Sequence, residues 1–330
     1  MVSINSDDAM KSQSGSGDSP QDLPFFSFAD LEKYCESQKI PLHEAFIRME
    51  EKVCGLPRPT ILQKMKEKLN VMYASMLTVL ENPPTLIIKE LSAQAARLFS
   101  APPVFLSPLL KKAVARAMAV IENNASMGRI CAAPTAGASG IVPAVIITGA
   151  EMLNKTDEDI LNALFVAGGF GVLMSKTIQF SGAWGGCQAE TGVATAMSAA
   201  ALVSMSGGSP KMATTAAAIS LKNILGLVCD PVAGLVISPC IKRNALGVVN
   251  SFLSAELALA GVVSLIPLDE VLQALSSVAN LMPPMLKERA EAGLATTPTG
   301  IRVKSIIDAL PWENAFPFFQ SQSDHSDFKQ

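Results

Sequence analysis

The sequence contains few charged residues: Asp, Glu, Lys and Arg make up 17% of its 330 positions, and the formal net charge is −3. It therefore lacks the basic surface that nucleic-acid-binding proteins present. It also lacks an uninterrupted apolar run of about 18 residues, the length that a membrane-spanning helix needs. The longest candidate, residues 161–174, is shorter and contains three glycines. The composition argues against nucleic acid and membrane as partners.

An apolar leader is also missing, because residues 1–20 are rich in Ser, Asp and Gly and do not resemble a signal peptide. We therefore expect a cytoplasmic protein. In that compartment thiols stay reduced, so the six cysteines are expected to be buried thiols or metal ligands and not a disulfide framework. Histidine is scarce as well: His43 and His325 are the two, and neither lies near a motif.

What the sequence does contain is a series of helix patterns. Apolar residues recur every three or four positions, for example in residues 61–80, and period-two alternation is scarce. We predict an all-α fold in which a Gly/Ala-rich helical catalytic domain, residues 83–311, follows a small N-terminal helical subdomain, residues 25–82. Residues 1–24 are predicted to be a disordered tail, and residues 312–330 a polar C-terminal tail.

Several helix starts carry capping residues. Ser27 and Thr156 are each followed three residues later by Asp, and Ser209 is followed by a first-turn proline. The last of these helices is predicted to run to about Leu227. Glycines within residues 168–171 lower helix propensity, so they indicate close contact with a neighbouring helix or a ligand.

Three cysteines stand at predicted loops or element ends. Cys187 follows two glycines and precedes a helical pattern, Cys229 lies past the end of a helix, and Cys240 follows a proline. A helix N-terminus lowers the pKa of a thiol, so Cys187 is suited to binding a metal as thiolate. The alternative is a buried, apolar thiol. The spacing matches no standard zinc or ferredoxin pattern, so the residues alone leave both readings open.

Longer motifs around these cysteines resemble a known family. They are residues 131–140 (CAAPTAGASG), 181–192 (SGAWGGCQAETG), 221–236 (LKNILGLVCDPVAGLV), 239–247 (PCIKRNALG) and 297–300 (TPTG). Together they resemble the α chain of the iron–sulfur-dependent L-serine dehydratases, most closely the two-chain bacterial type. The resemblance covers approximately residues 28–308.

The resemblance implies that Cys187, Cys229 and Cys240 bind a 4Fe–4S cluster, which leaves the other three cysteines to packing. A cluster held by three thiolates keeps one iron open, and that iron acts as a Lewis acid on a hydroxyl group. The implied reaction is elimination of water from L-serine, which gives pyruvate and ammonia. Of the remaining cysteines, Cys131 borders a motif of the implied active site.

The substrate carboxylate needs hydrogen-bond donors. Arg243 offers a bidentate guanidinium, and Asn244 is expected to help orient the same group; a structural ion pair is the alternative for Arg243. The turn containing Thr135, Ala136 and Gly137 is expected to offer backbone N–H groups to an anion. The alternative there is an ordinary tight turn.

The base that removes the α-proton is harder to locate. Lys176 lies in a segment that matches the family and is the best candidate in this chain, provided that burial lowers its pKa. An isolated lysine is otherwise a surface charge. The resemblance also implies a separate β chain that completes the active site, in a homo- or hetero-oligomer.

Some positions depart from the family pattern. Trp184 replaces a small residue, residues 177–180 replace a more polar run, and residues 288–292 lack the glycines of a Thr/Gly-rich loop. These departures leave other functions open: a related cluster lyase that acts on threonine or cysteine, or a cluster-bearing, inactive regulatory subunit. A helical protein without metal is the remaining alternative.

Overall fold

The fold is seen in a computed structural model that describes residues 25–310, in which thirteen α-helices and no β-strand are found. The predicted all-α class is confirmed. The predicted tails, residues 1–24 and 312–330, lie outside the described residues, as does His325. The helices are α1 Phe28–Gln38, α2 Leu42–Cys54, α3 Arg58–Glu81, α4 Gln94–Ser100, α5 Pro108–Ala125, α6 Ile141–Leu153, α7 Asp157–Met174, α8 Gly182–Gly185, α9 Cys187–Met205, α10 Pro210–Lys222, α11 Cys240–Leu259, α12 Leu268–Leu281 and α13 Pro298–Asp308.

The capping residues identified in the sequence start the expected helices. The Ser27 hydroxyl accepts a hydrogen bond from the Asp30 N–H, and Ser209 caps α10 in the same way. Thr156 and Asp159 form a reciprocal capping box at α7. These bonds satisfy N–H groups that have no partner within the helix.

Helix α9 lies at the centre of the fold, and all of its residues except Glu190 and Ser204 are buried. Helices α6, α7, α10 and α11 pack around it. Its many Ala, Gly and Ser residues allow these neighbours to approach closely. The Thr195 and Ser198 hydroxyls donate hydrogen bonds to the carbonyls of Thr191 and Ala194, one turn earlier, so these two buried hydroxyls are satisfied within the helix.

The glycines of α7 make the close contacts that the sequence indicated. A Cβ at Gly169 would lie 2.1 Å from the Phe46 ring of α2, so this position leaves no room for a side chain. The ring centroids of Phe28 and Phe170 are 4.9 Å apart. The hydrophobic core therefore continues across the predicted boundary between residues 82 and 83.

Within residues 25–310, one segment has the length and hydropathy of a membrane span. This segment, Ala136–Leu153, contains α6, and 72% of it is buried inside the fold. It is a different segment from residues 161–174, which were expected to be the longest apolar stretch. Burial on this scale is typical of a core helix of a globular protein.

Candidate metal centre and active site

Cys187 is the first residue of α9, as predicted, and it is 3% exposed. Gly186 precedes it with φ 73° and turns the chain into the helix. The Gln188 N–H donates to the Leu227 carbonyl, and the Gln188 side-chain oxygen accepts from the Gly226 N–H. The start of α9 is therefore tied to the segment that carries Cys229.

Cys229 lies in the segment that joins α10 to α11. Helix α10 ends at Lys222, five residues before the predicted end at Leu227, and the chain passes through tight turns to Gly226, whose φ of 83° is not helical. The Cys229 N–H donates to the Leu286 carbonyl, 2.8 Å, and its carbonyl accepts from the Glu288 N–H, 2.7 Å. These two bonds attach residues 286–288 to the cysteine segment.

Cys240 is the first residue of α11, so two of the three cysteines begin helices. All three are buried and carry free thiols. The Cys187 and Cys229 sulfurs lie within 4.8 Å of each other and of a carboxylate oxygen of Glu190, and the three are arranged to hold a metal ion. Cys240 is not a member of this tight group among the described residues. A cluster places each thiolate on a different iron, so its ligands need not all be this close.

Arg243, one turn into α11, links the cysteine segments. Its Nη1 lies 3.3 Å from the Cys187 sulfur and 2.8 Å from the Val228 carbonyl oxygen, and its Nη2 lies 2.8 Å from Asp230 Oδ1. Asp230 Oδ2 accepts in turn from the Leu294 N–H, 2.9 Å. Both the ion pair and the contact with sulfur are thus formed.

The local environment lowers the pKa of one of the three thiols and raises the pKa of the other two. A hydrogen bond from the Cys229 thiol and the charge of Arg243 hold the pKa of Cys187 below its usual range, against the effect of burial. The Cys187 sulfur and burial raise the pKa of Cys229, and burial raises that of Cys240 to about 12. Cysteine sulfur is a soft donor that suits iron–sulfur clusters and zinc. A bound cation is what would stabilise three neighbouring thiolates together, so the donor set fits a metal or a cluster.

Glu190 was not predicted as a site residue, although it stands three residues after Cys187 and therefore on the same face of α9. Its carboxylate fills the space beside two glycines: a Cβ at Gly137 would lie 3.3 Å from it, and one at Gly182 3.0 Å. Burial raises the pKa of Glu190 to about 7, and the nearby Glu288 acts in the same direction. The C-x-x-E spacing was the signal that could have revealed it.

The turn containing Thr135, Ala136 and Gly137 lies against this carboxylate. The Thr135 hydroxyl is buried beside Glu190 and has no hydrogen-bond partner among the described residues. Among the described residues, the N–H groups of the three turn residues donate no hydrogen bond. Asn244 is fully buried behind the turn: its Nδ2 donates to the Gly137 carbonyl, 2.7 Å, and its Oδ1 accepts from the Gly140 N–H, 3.1 Å. Asn244 therefore fixes the turn to α11.

Comparisons with known proteins agree with this arrangement. Residues 33–295 match the family model described as "Serine dehydratase alpha chain". The chain belongs to this family. It is 42% identical over 285 residues to the "Probable L-serine dehydratase, alpha chain" of Bacillus subtilis (strain 168), covering 86% of this chain and 95% of that protein. It is 42% identical to the "L-serine dehydratase, alpha chain" of Peptoniphilus asaccharolyticus, covering 82% of this chain and 94% of that protein. It is 41% identical over 181 residues to "L-serine dehydratase 1" of Escherichia coli (strain K12), covering 54% of this chain and 40% of that protein.

Family membership confirms the resemblance drawn from the motifs, but other predicted residues lie apart from the cysteines. Lys176, after α7, is exposed, and its ammonium lies 4.5 Å from the centroid of the Phe26 ring. Partial desolvation of the ammonium lowers the pKa of Lys176, yet no described contact joins Lys176 to the cysteines. Trp184 is half-buried against the hydrophobic core, and Ile178 is buried. Cys35 is a core residue, and Cys54 and Cys131 are half-buried.

A cavity of about 810 Å³ lies between α13 and residues 87–91. Val232 and Ser238, from the segment between Cys229 and Cys240, line one side of it. The cysteines themselves do not line it. This volume is therefore next to the candidate metal centre but separate from it.

The loop at residues 288–292 contains left-handed backbone conformations, which glycine adopts more readily than other residues. Ala290 has φ 55°, in the left-handed region, which costs a non-glycine residue about 1–3 kcal/mol. We expect Ala290→Gly to raise the free energy of unfolding by about 0.5–1 kcal/mol, measured by chemical denaturation. Ala292, at φ −152°, is the matched control, and Ala292→Gly should not stabilise. Equal effects of the two changes would contradict the strain at Ala290.

Proposed function

We propose that this protein is the α chain of an L-serine dehydratase, which eliminates water from L-serine to form aminoacrylate and, after tautomerisation and hydrolysis, pyruvate and ammonia. One observation carries the proposal: in a member of this family, the sulfurs of Cys187 and Cys229 and the carboxylate of Glu190 meet within 4.8 Å of one another. The reaction needs an electrophile for the hydroxyl and a base for the α-proton, and this site offers both a metal-binding donor set and a base.

We infer that Cys187, Cys229 and Cys240 hold a 4Fe–4S cluster. Bound there, the cluster supplies a Lewis acid that assists departure of the hydroxyl group as water. The free, buried thiols support this assignment. Reduced thiols are required, and we place the protein in the cytoplasm for that reason.

Glu190 is our proposed base, in place of Lys176. Its carboxylate lies beside the Cys187 and Cys229 sulfurs, so a substrate whose hydroxyl faces the metal centre would present its α-proton within reach of Glu190. Gly137 and Gly182 allow the Glu190 carboxylate to lie close to the main chain at this site, since a Cβ at either position would lie within 3.3 Å of it. Lys176, exposed over Phe26, has no comparable position.

The substrate carboxylate is proposed to bind the free N–H groups of Thr135, Ala136 and Gly137, with the Thr135 hydroxyl as a further donor. Arg243 uses three of its five N–H groups on described partners, so two remain for the same carboxylate. The Asn244 amide is committed to the turn and to the Cys240 carbonyl. We therefore give Asn244 a positioning role and not a direct contact with the substrate.

A partner β chain is part of the proposal. Two of the similar proteins are named alpha chains, which supports a second chain, and the active site is expected to be completed in a hetero-oligomer. Threonine and cysteine remain alternative substrates, since each could present its leaving group to the same centre.

The test is anaerobic reconstitution with iron and sulfide, followed by turnover of L-serine, L-threonine and L-cysteine, with and without the β chain. We expect about four irons per chain and pyruvate formed from L-serine in preference to the other two, with full activity only when the β chain is present. A protein that binds iron but turns over none of the three, even with the β chain, would be a regulatory subunit. A colourless protein without iron would exclude the cluster.

A further inference from the structure

Glu288 reaches the same site from a distant part of the sequence. Its backbone N–H donates to the Cys229 carbonyl, 2.7 Å, and the Cys229 N–H donates to the Leu286 carbonyl. Glu288 has φ 64°, a conformation that is costly for any residue other than glycine. The pairing with Cys229 therefore holds Glu288 in an unfavourable conformation beside a proposed metal ligand.

The Glu288 carboxylate points towards Gly182. A Cβ at Gly182 would lie 3.1 Å from Glu288 Oε2, 3.0 Å from Glu190 Oε2 and 2.9 Å from the Cys229 sulfur. Two carboxylate oxygens and a sulfur thus converge on one point beside the Gly182 Cα, the point that a side chain at this residue would occupy. Glu288 is exposed and Glu190 is more deeply buried, so Glu288 lies on the solvent side of this point.

No described cation forms an ion pair with either of these two carboxylates. Neither Glu190 nor Glu288 forms an ion pair within residues 25–310. The nearby guanidinium of Arg243 is engaged with Asp230, Cys187 and a carbonyl. Two neighbouring carboxylates without a counter-ion favour binding of a cation between them.

We propose that the Glu288 carboxylate binds the α-ammonium group of the substrate and so makes the site selective for α-amino acids over hydroxy acids. This inference rests on the proposed function and deepens it. In the proposed function, the substrate carboxylate binds the turn at Thr135 and the hydroxyl faces the metal centre. The α-ammonium group is the third polar group of the substrate and still needs a partner. Glu288, at the solvent side, receives it, and Glu190 stays free to take the α-proton.

The test compares two ligands that each lack one group of serine. L-alanine keeps the ammonium and lacks the hydroxyl, whereas 3-hydroxypropionate keeps the hydroxyl and lacks the ammonium. Dissociation constants are measured by calorimetry on the iron-loaded protein. We expect the wild type to bind L-alanine at least about 10-fold more tightly than 3-hydroxypropionate. Glu288→Gln should weaken the binding of L-alanine by about 10-fold to 100-fold, the range for a charge-assisted hydrogen bond. The dissociation constant of 3-hydroxypropionate should stay unchanged.

Glu291, three residues further along the same loop and exposed, is the matched control, and Glu291→Gln should change neither constant. Glu288→Asp, which keeps the charge, should recover part of the affinity for L-alanine. Iron content and the thermal unfolding midpoint should stay the same in all three variants. Equal loss for both ligands, loss of iron in Glu288→Gln, or a wild type that does not prefer L-alanine would overturn the proposal.

The same data separate this proposal from the proposed activity. If the protein binds L-alanine through Glu288 but does not turn over L-serine, the proposed ammonium site is supported and the proposed dehydratase activity is wrong. If the wild type and Glu288→Gln turn over L-serine with the same KM, the proposed activity is supported and the proposed role of Glu288 is wrong.

Discussion

Replacement of Cys187, Cys229 or Cys240 by serine is expected to reduce bound iron from about four per chain to less than one, and to reduce L-serine turnover at least about 1,000-fold. A serine hydroxyl is a poor ligand for iron at neutral pH, and each sulfur is buried where no water-exposed group can replace it. Iron and sulfide content and visible absorbance, recorded after anaerobic reconstitution, measure the effect.

Cys54→Ser and Cys131→Ser are the controls, because both residues are half-buried and lie outside the tight donor group. They should keep the iron content of the wild type. Cys240 is the most informative of the three proposed ligands, since the tight group contains Glu190 and not Cys240. Retention of iron in Cys240→Ser, together with its loss in Glu190→Gln, would contradict the three-cysteine cluster and would assign a site of Cys187, Glu190 and Cys229.

Glu190→Gln is expected to lower kcat by about 100-fold to 10,000-fold, the usual contribution of a general base, with KM changed by less than about 3-fold. The amide keeps the size of the side chain between Gly137 and Gly182 but cannot accept the α-proton. Steady-state kinetics of the iron-loaded enzyme with its β chain, with iron measured on the same samples, provide the test.

Lys176→Met is the comparison that decides between the two candidate bases. The Lys176 ammonium lies over an aromatic ring away from the cysteines, so we expect its removal to leave kcat within about 3-fold of the wild type. If Lys176→Met abolishes turnover while Glu190→Gln retains it, the sequence-based assignment is right and the one drawn from geometry is wrong.

Local features of the sequence were sufficient to predict the helical class and many helix starts. A cap such as Ser27 or Thr156 acts on N–H groups two or three residues away, so its effect is contained in a short segment. The end of α10 was predicted five residues too late, because the pattern was extended through Gly226, which has φ 83°. A glycine at this point is a local signal for a helix end.

The sequence by itself determined the family and the candidate ligands Cys187, Cys229 and Cys240, since long motifs surround them. Only the tertiary structure assigned Glu190 and Glu288 to the site. Their carboxylates meet the Cys229 sulfur beside Gly182, and the contributing segments are separated by up to about 100 residues along the chain. Motifs record which side chains are available, whereas the packing of α9 and α11 against the loop at residues 286–288 decides which atoms lie within bonding distance.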